Sequence, residues 1–355
     1  MHLQQLQQLI ESGNYIDEFK KHKLIYRKYP EFKLMIVKRR YGLLYEETTP
    51  WLNYCRGLVI DYENHKIVFC PPAKSREVCR YDDFKAIGNT FTELIDGTMV
   101  NMFYHEQSEQ WLTSTRSNIG CSNKWSTDMN FKEMFDECAG NLNLDDLDTQ
   151  VTYSFVLRHK KNRIITPIPE NKLYLVEMRR DLDRIDIVES TNHAYETNPV
   201  IHKDNLVKDL YPHIYKGLTT IVNGVRYKWL TTSCKFVEMI KPNTNNPLLN
   251  YLTLRQSGYL VNYLQVFPEF RHKFNLYRDQ VHSLTNLLHE FYLNVYVYKQ
   301  IDKKDIPFGL KPLTYELHGI YLQTKKGISI RHVKDYIYEL DPKRLCFVLN
   351  KLREL

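Results

Sequence analysis

The chain has 355 residues, of which 43% are hydrophobic and 13% aromatic, so a long disordered chain is excluded and two domains are expected. Its formal charge of +7 at pH 7 favours polyanionic partners but is modest for this length. No apolar run approaches the roughly 20 residues that a membrane-spanning helix needs, so no membrane partner is expected. The seven cysteines form no CxxC pair and no zinc spacing, which predicts reduced thiols, no structural metal and a cytoplasmic protein.

The predicted secondary structure divides the chain into three parts. Residues 1–30 form a helical lead-in that opens with an amphipathic helix. Residues 31–242 contain short β-rich runs separated by turn signals, which predict a mixed, mainly antiparallel domain. The runs are FKLMIVK, RGLVIDY, KIVFC, TMVNMFY, WLTSTRS, VTYSFVL, KLYLVEM and LTTIVNGVRYKWL. From 243 to 355 apolar residues recur at helical spacing, so the predicted fold class is α+β with an all-α C-terminal domain.

Five short motifs follow one another in the β-rich part. They are RGLVID from Arg56, PPAKS ending in Ser75, ELIDGTMVNMFY from Glu93, STRSNIG from Ser114 and FVLRHKKNRII from Phe155. Their order and spacing resemble the RNA-ligase branch of the covalent nucleotidyltransferases, as found in phages and large DNA viruses, over roughly residues 30–240. The resemblance implies an ATP-grasp-like RNA-ligase domain, ATP and Mg²⁺ as cofactors, and RNA or nucleotide as partner.

The sequence departs from this family at three positions that carry its chemistry. The lysine of the KxDG motif, which attacks the α-phosphate of ATP, falls at Leu94, and leucine has no lone pair to offer. The glutamate of the FE strand falls at Val156, and the glutamate of the metal-binding EG pair falls at Lys216. The catalytic residue is therefore unknown, no metal ligand is assigned, and Lys74 or Lys85 would be a displaced nucleophile.

The side chains that would face phosphate and nucleotide are retained. The resemblance gives this role to Arg56, Lys74, Asp96, Gly97, Arg116 and Lys228. A second basic cluster, predicted to contact RNA or to form a solvated turn, consists of Arg158, Lys160, Lys161 and Arg163. A further basic run, predicted to be an exposed strand end or a nucleic-acid edge, consists of Lys38, Arg39 and Arg40.

Four functional hypotheses follow. The first is a catalytically degenerate RNA-ligase-like protein that engages RNA ends or ATP in RNA repair or joining, in the cytoplasm or, for a viral protein, in the host cytoplasm or viral factory. The second is an active ATP-dependent RNA ligase with a displaced lysine and with Asp96 or Glu93 as metal ligands. The third is a structural or assembly protein whose helical tail recruits a protein partner. A capping-type guanylyltransferase ranks last, because it also needs the KxDG lysine.

Overall fold

The chain divides into two compact units, Met1–Phe236 and Val237–Leu355. Its computed structural model describes residues 2–40, 42–125, 127–140, 142–185, 195–202 and 215–352. The fold is mixed α/β, with mainly antiparallel sheets followed by a helical C-terminal region, which confirms the predicted fold class at that level. Among the described helices, none is long and apolar enough to cross a membrane.

The first sheet is antiparallel and incorporates the N-terminal lead-in. In spatial order its strands are β1 (Ile25–Tyr29), β2 (Leu34–Lys38), β3 (Arg56–Asp61) and β4 (Lys66–Phe69). Two helices, α1 (His2–Glu11) and α2 (Tyr15–Lys21), contribute Leu6, Ile10 and Phe19 to the core on one face. The first four residues of β2 are all buried, because side chains on the other face, with Phe69 of β4, pack against Phe103. The residues before position 31 thus belong to the same compact unit as the sheet.

The second sheet contains the longest strands and follows the order β11, β10, β9, β7 and β8, with β12 parallel to β10. Its strands are β7 (Thr98–His105), β8 (Gln110–Ser114), β9 (Val151–Arg158), β10 (Lys172–Arg180), β11 (Asp183–Ile185) and β12 (Glu196–Thr197). Helix α4 (Phe131–Cys138) begins with a capping box between Asn130 and Glu133. It packs Phe135 against Phe155 of β9, which anchors the helix to the centre of the sheet.

The third sheet has the order β13, β6, β14, β15 and β5. Its strands are β5 (Arg76–Glu77), β6 (Thr90–Glu93), β13 (Val200–His202), β14 (Gly217–Val222) and β15 (Val225–Leu230). Helix α3 (Tyr81–Ile87) covers it, with Phe84 packed against Phe91. A two-residue turn, Asn223 and Gly224, joins β14 to β15, and both residues have positive φ, as a hairpin of this kind requires.

Helices form the rest of the chain. They are α5 (Thr232–Ile240), α6 (Pro247–Ser257), α7 (Leu260–Val266), α8 (Arg271–Tyr292), α9 (Lys311–Thr324), α10 (Ile330–Glu339) and α11 (Pro342–Leu352). Helix α8 is the centre of the second unit and buries Phe274, Val281 and Leu288. The Asp341–Pro342 break predicted from the sequence separates α10 from α11.

Candidate nucleotide and phosphate site

The turn at residues 94–97, where the sequence resemblance places the KxDG motif, lies between β6 and β7. The backbone N–H of Leu94 donates to the carbonyl oxygen of Gly217, 2.9 Å away, and so fixes the start of the turn. A Cβ on Gly97 would lie 2.5 Å from the carbonyl oxygen of Leu157 and 2.6 Å from a methyl carbon of Val156. Only glycine fits this approach to β9, so the predicted turn at Gly97 has a steric reason.

Asp96 is buried in this turn, with 3% of its surface exposed. Its Oδ2 accepts from the backbone N–H groups of Ile165 (2.7 Å) and Thr166 (2.9 Å), and its Oδ1 accepts from Nζ of Lys216, at 2.7 Å. Burial by itself raises the pKa of Asp96, but the charge and hydrogen bond of Lys216 and the two backbone donors hold that pKa below its usual value. Both carboxylate oxygens are therefore engaged, and an ammonium group lies where a divalent ion would approach them.

A group of five cationic side chains, called here the basic cluster, surrounds Lys74. Its members are Arg39, Arg56, Lys74, Arg116 and Lys228. Lys74 is half-buried, and its backbone N–H donates to the carbonyl oxygen of Asn53 at 2.9 Å. Burial first, and then the four neighbouring positive charges, lower the pKa of Lys74 to about 8. Four of the five residues were assigned to phosphate binding from the sequence, and Arg39 is added by the structure.

Close backbone packing brings the cluster together. Gly57, directly after Arg56, has a φ of +108°, and a Cβ there would lie 3.1 Å from the Cα of Arg116 and from the carbonyl oxygen of Thr115. Glycine at this position therefore lets the start of β3 approach the end of β8. Arg116 in turn donates from Nη2 to the carbonyl oxygen of Arg39, at 2.6 Å. The RG motif matters here for the contact that its glycine permits.

Lys228 reaches the cluster from β15, where its Nζ pairs with Glu77 at 2.9 Å. The strand is held by a buried ionic network that the sequence did not predict. Oε2 of Glu177 in β10 accepts a hydrogen bond from Arg226 at 2.5 Å, and its Oε1 forms an ion pair with Arg179 at 2.6 Å. Against the effect of burial, these two arginines keep the pKa of Glu177 below its usual value. The network fixes the strand two residues before Lys228.

A second polar group, called here the Glu93 cluster, consists of Glu93, Arg158 and Asn198. Burial raises the pKa of Glu93, partly opposed by the charge of Arg158, and the carboxylate accepts no hydrogen bond from any described residue. Asn198 donates to the backbone oxygen of Glu93 at 3.4 Å. In the described part of the chain, the buried Oδ1 of Asn198 and the buried Nε of Arg158 have no hydrogen-bond partner. Two acceptors and a donor are thus left for a ligand or water.

The four residues predicted to contact RNA, Arg158, Lys160, Lys161 and Arg163, differ in their exposure and contacts. Arg158 donates to the carbonyl oxygen of Pro167 at 2.6 Å, and Arg163 donates to that of Ile165 at 3.2 Å, so both arginines contact backbone of their own loop. Lys160 and Lys161 are exposed. Lys85, the other displaced-lysine candidate, lies in the last turn of α3 and is not among the charges that lower the pKa of Lys74.

Residues 156 and 216, where the sequence resemblance expects glutamates, do not offer oxygen ligands to a divalent ion. Val156 is buried in β9, and Lys216 is paired with Asp96. Among the described residues, no three His, Cys, Asp or Glu side chains are grouped so that they could hold a metal. Oxygen ligands are what Mg²⁺ requires, and this site supplies a methyl group and an ammonium in their place.

No protein-family profile matches the chain, and a search of curated proteins gives no match. Among solved structures, the chain is similar to a protein of Aquifex aeolicus that is assigned provisionally as an ATP-dependent DNA ligase. The TM-score is 0.41 and the sequence identity 12%, over 87% of this chain and 79% of that one. Similarity of this degree does not establish a shared function.

Proposed function

We propose that the Met1–Phe236 unit is a ligase-like nucleotidyltransferase domain that binds a nucleotide or the 5′-phosphate of an RNA end, without nucleotidyl transfer through residue 94. The observation that supports this most directly is the basic cluster, in which five cations from separate segments meet around a half-buried lysine. Like charges brought together away from water cost free energy, and a bound phosphate offsets that cost. The arginines offer planar donor pairs to phosphate oxygens, and the lysines offer point charges.

The Glu93 cluster extends this proposal from phosphate to nucleotide. A nucleobase edge presents donors and acceptors side by side. It would match the carboxylate of Glu93, which accepts no hydrogen bond from a described residue, together with Oδ1 of Asn198 and Nε of Arg158. The cluster directly precedes the turn at Leu94, and Thr166 connects the two, because it contacts both Arg158 and Asp96. Our proposal assigns the base of a nucleotide to the Glu93 cluster and its phosphates to the basic cluster.

We infer the absence of nucleotidyl transfer through residue 94 from the chemistry of two side chains. Leu94 cannot form a bond to phosphorus, and Lys216 neutralises the carboxylate of Asp96 that would otherwise help to hold a cation. Both changes leave binding groups in place and remove reacting groups. Engagement of RNA ends in repair or joining is therefore proposed as a binding role.

A second candidate function is nucleotidyl transfer through Lys74, and its lowered pKa favours it. With a pKa of about 8, roughly a tenth of Lys74 is neutral at pH 7, far more than for an ordinary lysine. The neutral amine would attack the α-phosphorus of a nucleoside triphosphate, form an N–P bond and release pyrophosphate, while its proton passes to solvent. Lys74 would thus bind phosphate if the chain is a binding protein, and would react with the α-phosphorus if the chain transfers nucleotides.

The deciding experiment incubates the purified full-length chain with α-³²P-labelled ATP or GTP and Mg²⁺ or Mn²⁺, followed by a denaturing gel. We expect no label on the wild-type chain. Label that disappears in Lys74→Arg but persists in Lys85→Arg would establish transfer through Lys74. Leu94→Lys tests whether the turn still positions a nucleophile, because label on that variant alone would show an intact site that lacks only its reactive group.

Binding is measured separately, with 5′-phosphorylated and 5′-hydroxyl RNA of one sequence. We expect the phosphorylated end to bind more tightly, and Arg56→Gln to reduce that preference, since Arg56 is exposed and its loss should not disturb folding. The matched control is Arg80→Gln, an exposed arginine of the same unit outside the basic cluster. Equal binding of both RNA ends, together with no nucleotide binding at low salt, would refute the proposal and favour the assembly hypothesis.

A further inference from the structure

The positive charge of the chain is concentrated in its helical unit. Residues 237–355 contain 17 lysine and arginine residues and 11 aspartate and glutamate residues. This third of the chain therefore carries +6 of the total +7, and the larger sheet-rich unit is nearly neutral. An excess of this kind favours a polyanionic partner for the helical unit itself.

This unit carries a group of four neighbouring rings, called here the aromatic column: Tyr292, Tyr296, His318 and Tyr321. The last three are stacked in succession, and Tyr292 lies tilted against Tyr296. The rings of Tyr296 and His318 are nearly parallel, with centroids 3.7 Å apart and an angle of 12° between their planes. Tyr321 continues the column at 5.7 Å and 25° from His318. The separation of the first pair is close to that between stacked bases.

A local break in helical geometry sets the position of Tyr296. Helix α8 ends at Tyr292 and continues as a π-helical turn, Leu293–Val297, in which the N–H of Tyr298 donates to the carbonyl oxygen of Leu293 at 2.7 Å. The wider turn changes the direction of Tyr296 relative to an α-helical continuation. Such turns are uncommon and often occur at functional sites, so the placement of this ring is a specific feature of the fold.

The column is accessible at one end and has a lysine beside it. Tyr292 at its inner end is buried, whereas Tyr321 at the other end is 36% exposed. Nζ of Lys303 lies 5.1 Å from the ring centroid of Tyr296. Five lysines that are near the column in sequence are exposed, as are four acids of the same region: Lys299, Lys303, Lys304, Lys325 and Lys326, with Glu290, Asp302, Asp305 and Glu316.

His318 supplies a second observation that indicates a ligand. Its Nδ1 is buried and has no hydrogen-bond partner among the described residues, although the ring is stacked on Tyr296. A polar atom left unpaired inside a packed group of rings needs a partner from solvent or from a bound molecule.

We propose that the aromatic column and its lysines bind single-stranded nucleic acid, with an unpaired base stacked on Tyr321 and the neighbouring phosphates held by the lysines. Stacking surfaces combined with positive charge are how proteins bind single strands with little sequence preference. A duplex has no free base faces to offer, so the site should discriminate against it. This binding is independent of the phosphate-end recognition proposed for the sheet-rich unit.

The experiment measures fluorescence anisotropy of the full-length chain with a labelled 5′-hydroxyl oligonucleotide of about 12 uridines. A DNA strand of the same length and an RNA duplex are run alongside. We expect both single strands to bind more tightly than the duplex, and affinity to fall as the salt concentration rises. Tyr321→Ala should weaken single-strand binding by about tenfold, and Lys303→Gln should reduce both the affinity and its salt dependence.

Two controls keep the outcome specific. Phe347→Ala removes an exposed ring of α11 outside the column and should leave the affinity within about twofold of wild type. Tyr296→Phe keeps the stack and should also retain binding. Wild-type affinity in both Tyr321→Ala and Lys303→Gln, or duplex binding as tight as single-strand binding, would overturn the proposal. Because the oligonucleotide has no 5′-phosphate, failure of the basic cluster to bind phosphate ends would not affect this result.

Discussion

Removal of the ammonium group of Lys216 should destabilise the sheet-rich unit strongly. The Lys216 side chain is 18% exposed and its partner carboxylate on Asp96 1% exposed, so Lys216→Met leaves a negative charge buried without its cation. Breaking a buried pair in this way costs about 3–5 kcal/mol. We expect a loss at the lower end, about 3 kcal/mol, because two backbone N–H groups still donate to the Asp96 carboxylate. Asp96→Asn in the Lys216→Met background should recover part of the loss, since the buried charge is then gone.

Urea unfolding followed by tryptophan fluorescence tests this expectation, because all four tryptophans of the chain lie before residue 237 and report on this unit alone. The matched control is Lys132→Met. Lys132 pairs with Asp136 at 2.6 Å, a similar distance, but the two side chains are 45% and 55% exposed. Its loss should cost at most about 0.5 kcal/mol. A Lys216→Met chain as stable as the Lys132→Met control would refute the buried-pair reasoning.

Three further predictions follow from the structure. Gly97→Ala should destabilise the chain by about 3 kcal/mol, because the added Cβ would overlap β9. Gly319→Ala lies within α9 with open space around it and should stabilise the helical unit by about 0.5–1 kcal/mol. Urea unfolding followed by circular dichroism measures both changes. Acidification should remove the stability contributed by Glu177, because its pKa in the folded chain lies below the unfolded value of 4.5. The contribution is complete above about pH 4.5 and is lost as the pH falls through the folded pKa. Glu177→Gln should flatten the plot of unfolding free energy against pH in this range. Lys74 can be ¹³C-methylated reductively and its titration followed by NMR, and we expect a pKa near 8. Pyrophosphate should raise this pKa, because a bound anion stabilises the charged amine. A pKa near 10.5 without the anion would contradict the electrostatic effect of the basic cluster on Lys74.

The strands and helices were largely predictable because their signals are local. Alternating or continuous apolar runs marked β2, β3, β7, β9 and β10, and Asp341–Pro342 marked the start of α11. Elements with a weaker apolar pattern, such as β1 and β6, were not assigned from the sequence. Strand β6 is only four residues long, Thr90–Glu93, and its pairing with β13 and β14 is decided by contacts distant in sequence.

The sequence indicated individual residues of the candidate site but not which of them contact one another. Motif order indicated Arg56, Lys74, Arg116 and Lys228, but only the structure shows that their charges act on one another. Nothing in the sequence linked Lys216 to Asp96, 120 residues away, or Glu177 to Arg226. The sequence gives the charge of each side chain. Which opposite charge it pairs with depends on which strands become neighbours in the fold.

By itself the sequence determined the class of fold, the turn at Gly97 and the absence of an amine at position 94, since these follow from residue chemistry and local backbone preference. Only the tertiary structure decided that Lys74 has a lowered pKa, that Asp96 is neutralised from within the protein, and that four rings of the helical unit form a column. The physical reason is that burial and the electrostatic field at a side chain arise from neighbours far away in the chain, and these exist only once the sheets and helices have packed.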